Sequence, residues 1–190
     1  SQAKLAAEEG LRQIEGLNVV VLRPAFIYGP GDVNGIMPRV TCAASYVVLN
    51  EPMRLLWDAN MHINTVHVED VVRAIVHVAT NDAVPAWSVF NLVDKNDTTQ
   101  GKLNALLENI FHISTGFLGT MLSNLAKIRL QDVVDTANEK HLQPWTEMLR
   151  QHAIHASPLT PYISSELLAH NQLFVSGEAI EATGFGYAHP

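Results

Sequence analysis

Apolar and polar positions along the chain change period several times, and each change marks an element. From Lys4 to Ile14 the sequence is rich in Ala, Glu and Leu, and Gly16 and Asn18 supply a stop, which predicts a helix with Leu5, Leu11 and Ile14 as an apolar stripe. Val19 to Leu22 is an uninterrupted aliphatic run ending at Arg23-Pro24, the pattern of a strand buried on both faces, as in a parallel sheet covered by helices. Ala25 to Asp32 leaves that strand through Gly and Pro, which places it where open parallel sheets bind ligands, beyond the carboxyl end of the strand.

Asn64 to Val68 alternates as a short strand, and Glu69-Asp70 then opens a helix with Val72, Ile75, Val76 and Ala79 on one face. Phe90 to Val93 reads as a strand, Asp94 to Thr99 as a polar loop, and Leu103, Leu106, Leu107, Ile110 and Phe111 as an amphipathic helix. From Gly116 to about His152 the spacing stays helical, with a break expected where Gln143-Pro144 starts a new helix, and Asn171 to Ser176 is expected as a last strand. Strand and helix alternate without a repeat, and Ser157 to Pro161 is too short for a linker, so one compact α/β unit is expected.

Composition narrows the function. With 190 residues, 47% hydrophobic and 16% charged, the chain is long and apolar enough to bury a core. Its 12 Lys and Arg against 19 Asp and Glu give a net charge of −7, the wrong sign for holding nucleic acid by its phosphates or lying on an anionic membrane. Cys42 is the only cysteine, which excludes internal disulfides and Cys-x-x-Cys sites and points to a reducing compartment with the thiol in packing. No apolar stretch approaches the roughly 20 residues of a membrane span, and no signal-peptide layout opens the chain, so a cytoplasmic protein without a membrane span is expected. The chain opens at Ser1 inside a helical pattern, which suggests a cut from a larger protein.

Most local motifs lead nowhere. Gly29-x-Gly31-x-x-x-Gly35 has only a superficial likeness to a dinucleotide fingerprint: Pro30 and Pro38 interrupt the turn and any early helix, so the glycines are expected to shape a loop. The 9 histidines lack a metal-ligand spacing, and no metal site is expected. Glu8-Glu9 and Glu69-Asp70 are adjacent on helices and diverge by about 100°, so neither pair faces one substrate. No serine sits in a G-x-S-x-G elbow.

One stretch is specific. Val21-Leu22-Arg23-Pro24-Ala25-Phe26-Ile27-Tyr28-Gly29-Pro30-Gly31-Asp32 resembles the "LRPxxIYGPGD" segment of the extended short-chain dehydrogenase/reductase superfamily, the NAD-dependent epimerase/dehydratase and 3β-hydroxysteroid dehydrogenase group. Ser1-Gln2-Ala3-Lys4, the "HVxD" element at His67-Val68-Glu69-Asp70, Phe90 to Val93 and Gly184-Phe185 follow in that family's order, most weakly between Gly116 and Ser176. The resemblance implies the carboxy-terminal part of a Rossmann-like doubly wound parallel sheet plus a mostly helical substrate-binding subdomain. Residues 1–35 would end the cofactor domain, 36–190 would be mainly substrate-binding, and 64–95 would pack back on the sheet.

It further implies an NAD- or NADP-dependent oxidoreductase or epimerase acting on a carbinol or carbonyl carbon, whose Gly-rich phosphate loop and catalytic tyrosine lie in an upstream half of the protein. Lys4 falls where the family's Tyr-x-x-x-Lys pair has its catalytic lysine, lowering the tyrosine's pKa and holding the cofactor ribose. Arg23, Pro24, Ala25 and Phe26 would form the wall beside the nicotinamide, and Tyr28, Asp32 and His67 would border the substrate. Read without the resemblance, Lys4 is an ordinary solvated helix lysine, and Phe26 and Tyr28 suit a core as well as a cleft. Ile63 stands where sugar-nucleotide members often carry an Arg for the diphosphate, which raises a steroid-like or other apolar alcohol or ketone as rival substrate. The expected partners are the amino-terminal half, a small-molecule substrate and, through the first helix, a second copy in a homodimer; the alternative to an enzyme is a non-catalytic scaffold of the same fold.

Overall fold

A computed structural model describes residues 2–168 and 172–190. The elements run α1 (Gln2–Leu11), β1 (Val21–Pro24), β2 (Phe26–Tyr28), α2 (Met37–Leu49), β3 (Met53–Leu55), β4 (Thr65–His67), α3 (Val68–Thr80), β5 (Val89–Leu92), α4 (Gln100–Phe111), β6 (Thr115–Phe117), α5 (Gly119–Lys127), α6 (Leu130–Gln151), α7 (Ser165–Leu168) and α8 (Glu178–Glu181). The mixed α/β expectation holds: β1 pairs with β5, β2 with β4 and β3 with β6, each in parallel. Parallel neighbours need a crossover, and α2 with α3, α2 alone, and α3 with α4 supply helices within the three connections. The described strands form three two-stranded ladders rather than one wide sheet.

The path between β1 and β2 sets up the site. The Ala25 N–H donates to the Leu92 carbonyl at 3.0 Å, and the next N–H, of Phe26, donates to the Asn64 carbonyl at 3.0 Å. The chain therefore leaves the ladder with β5 and joins the ladder with β4 at a single residue. The expected doubly buried strand is corrected here: Val21 and Leu22 are half-buried while Arg23 and Pro24 are exposed, because β5 is the one strand beside β1 among the described residues.

Around this crossing a core gathers Ala25, Val66, Ala74, Phe90, Leu92, Ile180 and Phe185, so residues near the carboxyl end close over β1, β4 and β5. On α3 it is Val71, Ala74 and Val78 that meet this core, whereas Val72, Ile75 and Val76 of the face named above are exposed. A second cluster joins Cys42, Ala43 and Tyr46 of α2 to Met53 and Leu107, and a third holds Leu56, Trp57 and Met61.

Proline overturns two further expectations. Pro38 lies in the first turn of α2, where its missing N–H costs nothing, so it starts a helix where it was expected to interrupt one. Pro144 starts nothing: α6 runs through it for 22 residues. Its buried positions Val134, Asn138, His141 and Pro144 recur at helical spacing on one face, and the contacts of His141 with Cys42 and Tyr46 turn that face toward α2. Packing of that face outweighs the hydrogen bond lost at the proline. Of the expected last strand, Asn171 lies outside the described residues and Leu173 makes only an isolated bridge to Ile63. Among the described residues no helix is long and apolar enough to cross a membrane.

Candidate functional site

An open cleft of about 670 Å³ lies beyond the carboxyl end of β1, lined by Lys4 of α1, by every residue from Pro24 to Gly35, and by Val68 and Leu173. Lys4 and the strand-end segment are separated by some twenty residues of sequence, and the fold brings them to one concavity. What holds α1 there is an ion pair. Arg23 at the end of β1 donates from Nε to Oε1 of Glu8 at 3.1 Å and from Nη2 to Oε2, and Glu8 lies one turn after Lys4 on α1. Its hydrogen bonds to Arg23 hold the Glu8 carboxyl below the usual carboxylate range. Arg23 thus acts on the cleft by anchoring the helix and does not itself line it.

Two glycines let the loop fold this tightly. Gly29 has φ +122°, and a Cβ there would lie 2.7 Å from His67 Nε2 and 3.0 Å from Val68 Cγ1. At Gly35 a Cβ would lie 2.2 Å from the Ile27 carbonyl oxygen, a backbone contact that cannot yield. Gly29 and Gly35 thus shape the loop, as read from the sequence. Asp32 closes the loop from inside: Oδ1 accepts the N–H groups of Asn34 and Gly35 at 3.0 and 2.6 Å, and Oδ2 those of Ile36 and Met37 at 2.8 and 3.2 Å. Both oxygens are used, so Asp32 builds the wall of the cleft more than it offers a carboxylate to a ligand.

Tyr28 lines the cleft half-buried, edge-on to His67 with ring centroids 5.2 Å apart. Burial, and then the charges of Asp94 and Asp70, push its phenol above the usual tyrosine value, so the hydroxyl is protonated at neutral pH. His67 itself is turned away: its Nδ1 accepts the Glu69 N–H at 3.3 Å and caps α3, and its ring stacks on His189 at 3.9 Å. Asp70, fully buried, accepts from Arg73 at 2.8 Å and from the N–H groups of Ala188 and His189 at 2.7 and 2.9 Å. It tethers the carboxyl end of the chain beside the cleft. Burial alone would raise the Asp70 carboxyl, but the two backbone donors and Arg73 outweigh it and hold it below the usual value.

The fold also brings together two groupings of chemistry-bearing side chains that the sequence did not place side by side. His67, Glu69 and His189 bring potential metal-ligand atoms within 4.8 Å of one another. The His67 Nδ1 accepts the Glu69 N–H, the two imidazoles meet at 3.9 Å with their planes tilted by 38°, and His189 Nε2 meets Glu69 Oε2 at 3.0 Å, so the trio clasps the chain end to α3. Cys42 and His141 approach as a dyad, Sγ to Nδ1 3.5 Å, but the thiol donates to the Pro161 carbonyl at 3.1 Å. Burial pushes that thiol up to about 12 and the imidazole down to about 4, so both are neutral and the pair is inert packing.

Residues 1–92 match the family model described as "NAD dependent epimerase/dehydratase family". No curated protein matches the chain. Among solved structures it is similar to a UDP-glucuronic acid 4-epimerase from Bacillus cereus in complex with UDP-glucuronic acid and NAD (16% identity over 61% of this chain and 37% of that one, TM-score 0.49). It is also similar to a UDP-glucose 4-epimerase from Thermotoga maritima with UDP-glucose (26%, 62% and 39%, TM-score 0.47) and to an ADP-L-glycero-D-manno-heptose-6-epimerase from Helicobacter pylori (17%, 62% and 38%, TM-score 0.47). The chain spans well under half the length of each.

Proposed function

From a chain whose residues 1–92 carry the sequence of the NAD-dependent epimerase/dehydratase family, we propose the carboxy-terminal half of an NAD(P)-dependent oxidoreductase or epimerase. Its substrate is the carbinol or carbonyl carbon of a sugar nucleotide or a steroid-like molecule. The observation that carries the reading is the convergence of Lys4 with the Pro24–Gly35 stretch in one cleft at a strand's carboxyl end. The description of the matched family model as NAD dependent supports NAD, with NADP the alternative.

The cleft fits the nicotinamide end of such a cofactor. Its volume is open, and Lys4 on its wall offers an ammonium to ribose hydroxyls. Bound there, a nicotinamide supplies or accepts the hydride. The chain's own residues do the rest: Lys4 holds the ribose and biases the proton of a tyrosine in the upstream half, Phe26 walls the ring, and Tyr28 borders the substrate as a neutral hydroxyl. The Ala25 and Phe26 N–H groups are committed to the two ladders, so a carboxamide here meets other groups of that stretch. The exposed Leu5, Leu11 and Ile14 of α1 and the following turn suit a homodimer contact, and the lone reduced thiol suits the cytoplasm.

The test is calorimetric titration of these 190 residues with NAD and NADP, alongside the whole protein. The expected result is turnover and tight binding by the whole protein and neither by residues 1–190 alone. Micromolar binding by the isolated chain overturns the assignment of the pyrophosphate site to an upstream half. A whole protein without nicotinamide-dependent activity on any alcohol or sugar nucleotide favours the scaffold.

A further inference from the structure

Behind the Phe26 and Gly35 wall of the cleft lies a second concavity of about 220 Å³, between α2, β3, α4 and α6. Its lining is mostly apolar, with Met53, Leu55, Ile63 and Ile163 among its walls, and among the described residues it contains no Asp or Glu. Into these walls is set the guanidinium of Arg39, from the first turn of α2.

Arg39 has no carboxylate partner among the described residues. Its Nη2 donates to Oε1 of Gln100, and Gln100 is itself fixed, donating from Nε2 to the carbonyls of Leu56 and Asp58 at 3.1 and 3.3 Å. A guanidinium carries five N–H donors, and this contact uses one. Arg54, exposed, is the other cation of the lining, so in a protein of net charge −7 the charged groups that border the concavity among the described residues are both positive. Burial pulls Arg39 down to about 10, which leaves it charged at neutral pH. Neither His141 nor Cys42 supplies a counter-charge, both being neutral. An unpaired cation in an apolar wall is costly, and an anion delivered by a ligand relieves that cost.

We propose that this cavity is a binding site for an apolar molecule carrying one carboxylate, its carboxylate seated bidentately on Arg39 and its hydrocarbon body among the walls of α2, β3 and α6. Gln100 is the positioning residue, holding the fork with its free edge inward. The volume exceeds the roughly 150 Å³ of an engineered cavity that admits benzene, and suits a chain of about eight carbons or two small rings. The site is a matter of binding alone and does not rest on the chemistry proposed for the cleft.

The probe is octanoate, titrated calorimetrically into the protein at neutral pH without nicotinamide, with 1-octanol and octylamine as neutral and cationic comparators. Octanoate is expected to bind at least about tenfold more tightly than octanol and octylamine more weakly than either, one such step being worth about 1.4 kcal/mol. Arg39→Met should bring octanoate down to the octanol level, while Arg39→Lys retains part of the preference. Gln100→Met, which keeps the charge but frees it, should cost octanoate several-fold and octanol nothing, and serves if Arg39→Met does not fold. Equal affinity for octanoate and octanol in the native protein, no binding of either up to about 10 mM, or an octanoate affinity indifferent to both the Arg39 and Gln100 substitutions overturns the proposal. Lys4→Met should leave octanoate binding unchanged, so the cleft and the cavity fail separately.

Discussion

Glu8 and Arg23 clamp α1 to the end of β1 through a two-point contact, Nε to Oε1 at 3.1 Å and Nη2 to Oε2. Because Glu8 is four residues from Lys4, the clamp fixes where the Lys4 ammonium reaches into the cleft. Exposed ion pairs contribute little to stability. Arg23→Met and Glu8→Gln should therefore leave the Tm nearly unchanged, yet lower turnover of the whole protein by about tenfold through misplacement of Lys4. Melting curves with steady-state rates check this; unaltered rates in both variants would show that α1 is held by other contacts.

Lys4→Met in the whole protein should cut kcat by about 10²-fold or more with the fold intact if, as proposed, the ammonium holds the ribose and lowers the pKa of an upstream tyrosine. Lys4→Arg keeps the charge with a different reach and should fall between. Lys102 is a poor control because its Nζ holds the carbonyls of Asn96 and Asp97 at 2.6 and 3.0 Å. Lys127, at the end of α5, is the better one.

Gly29→Ala should destabilise the protein by about 1–3 kcal/mol, combining the strain of a positive φ with a clash at His67 Nε2. His67→Ala in the same chain removes the side-chain clash and leaves the backbone strain, so the double variant should recover only part of the loss. Urea midpoints of the four species give the answer. Full recovery would place the whole cost in the clash.

Asp70 ties α3 to the chain end through the N–H groups of Ala188 and His189, with Arg73 of its own helix as a third donor, and its carboxyl is held below the ordinary aspartate value. A lowered folded pKa contributes stability above the unfolded value of about 3.9, and this is lost as pH falls through the folded value. Asp70→Asn should cost about 2 kcal/mol or more at pH 7 and flatten the acid limb below about pH 4. An unaltered acid limb in the variant would assign that limb to other carboxylates.

His141 acts in a different window. Its imidazole is held neutral, down to about 4 from an unfolded value near 6.5, so the unfolded chain takes up a proton first as pH falls. Stability should decline from about pH 6.5 to about pH 4, by up to about 3 kcal/mol from this group. His141→Gln removes that slope while keeping a polar group between Cys42 and Tyr46. A slope that persists in the variant would belong to the other histidines.

The parts legible in the sequence are those whose signals are local. The helix of α3 declares itself through Glu69-Asp70 in its first turn, and the strand-end turn through Gly29-Pro30-Gly31. Proline misled twice, because the same residue is harmless in a first turn, as at Pro38, and tolerated mid-helix only when packing outweighs its cost, as at Pro144. Asp32 carried a readable sign, an acid two and three residues before Asn34 and Gly35, which favours an Asx turn over a ligand contact. Arg39 carried none. Its meaning depends on Gln100, 61 positions away, and on walls contributed by four elements, relations that no window along the chain contains.

Ala25 alone joins the two ladders, since its own N–H closes one and the N–H of Phe26 opens the other. There is thus no slack residue between them. Inserting one amino acid between Pro24 and Phe26 would shift β2 by one position against β4, and in a strand that step turns every side chain to the opposite face. Tyr28 would exchange places with Ile27, and the cleft would lose its hydroxyl rim even though each residue of the segment were kept. The length of this junction is therefore under tighter constraint than the identity of the residues that flank it.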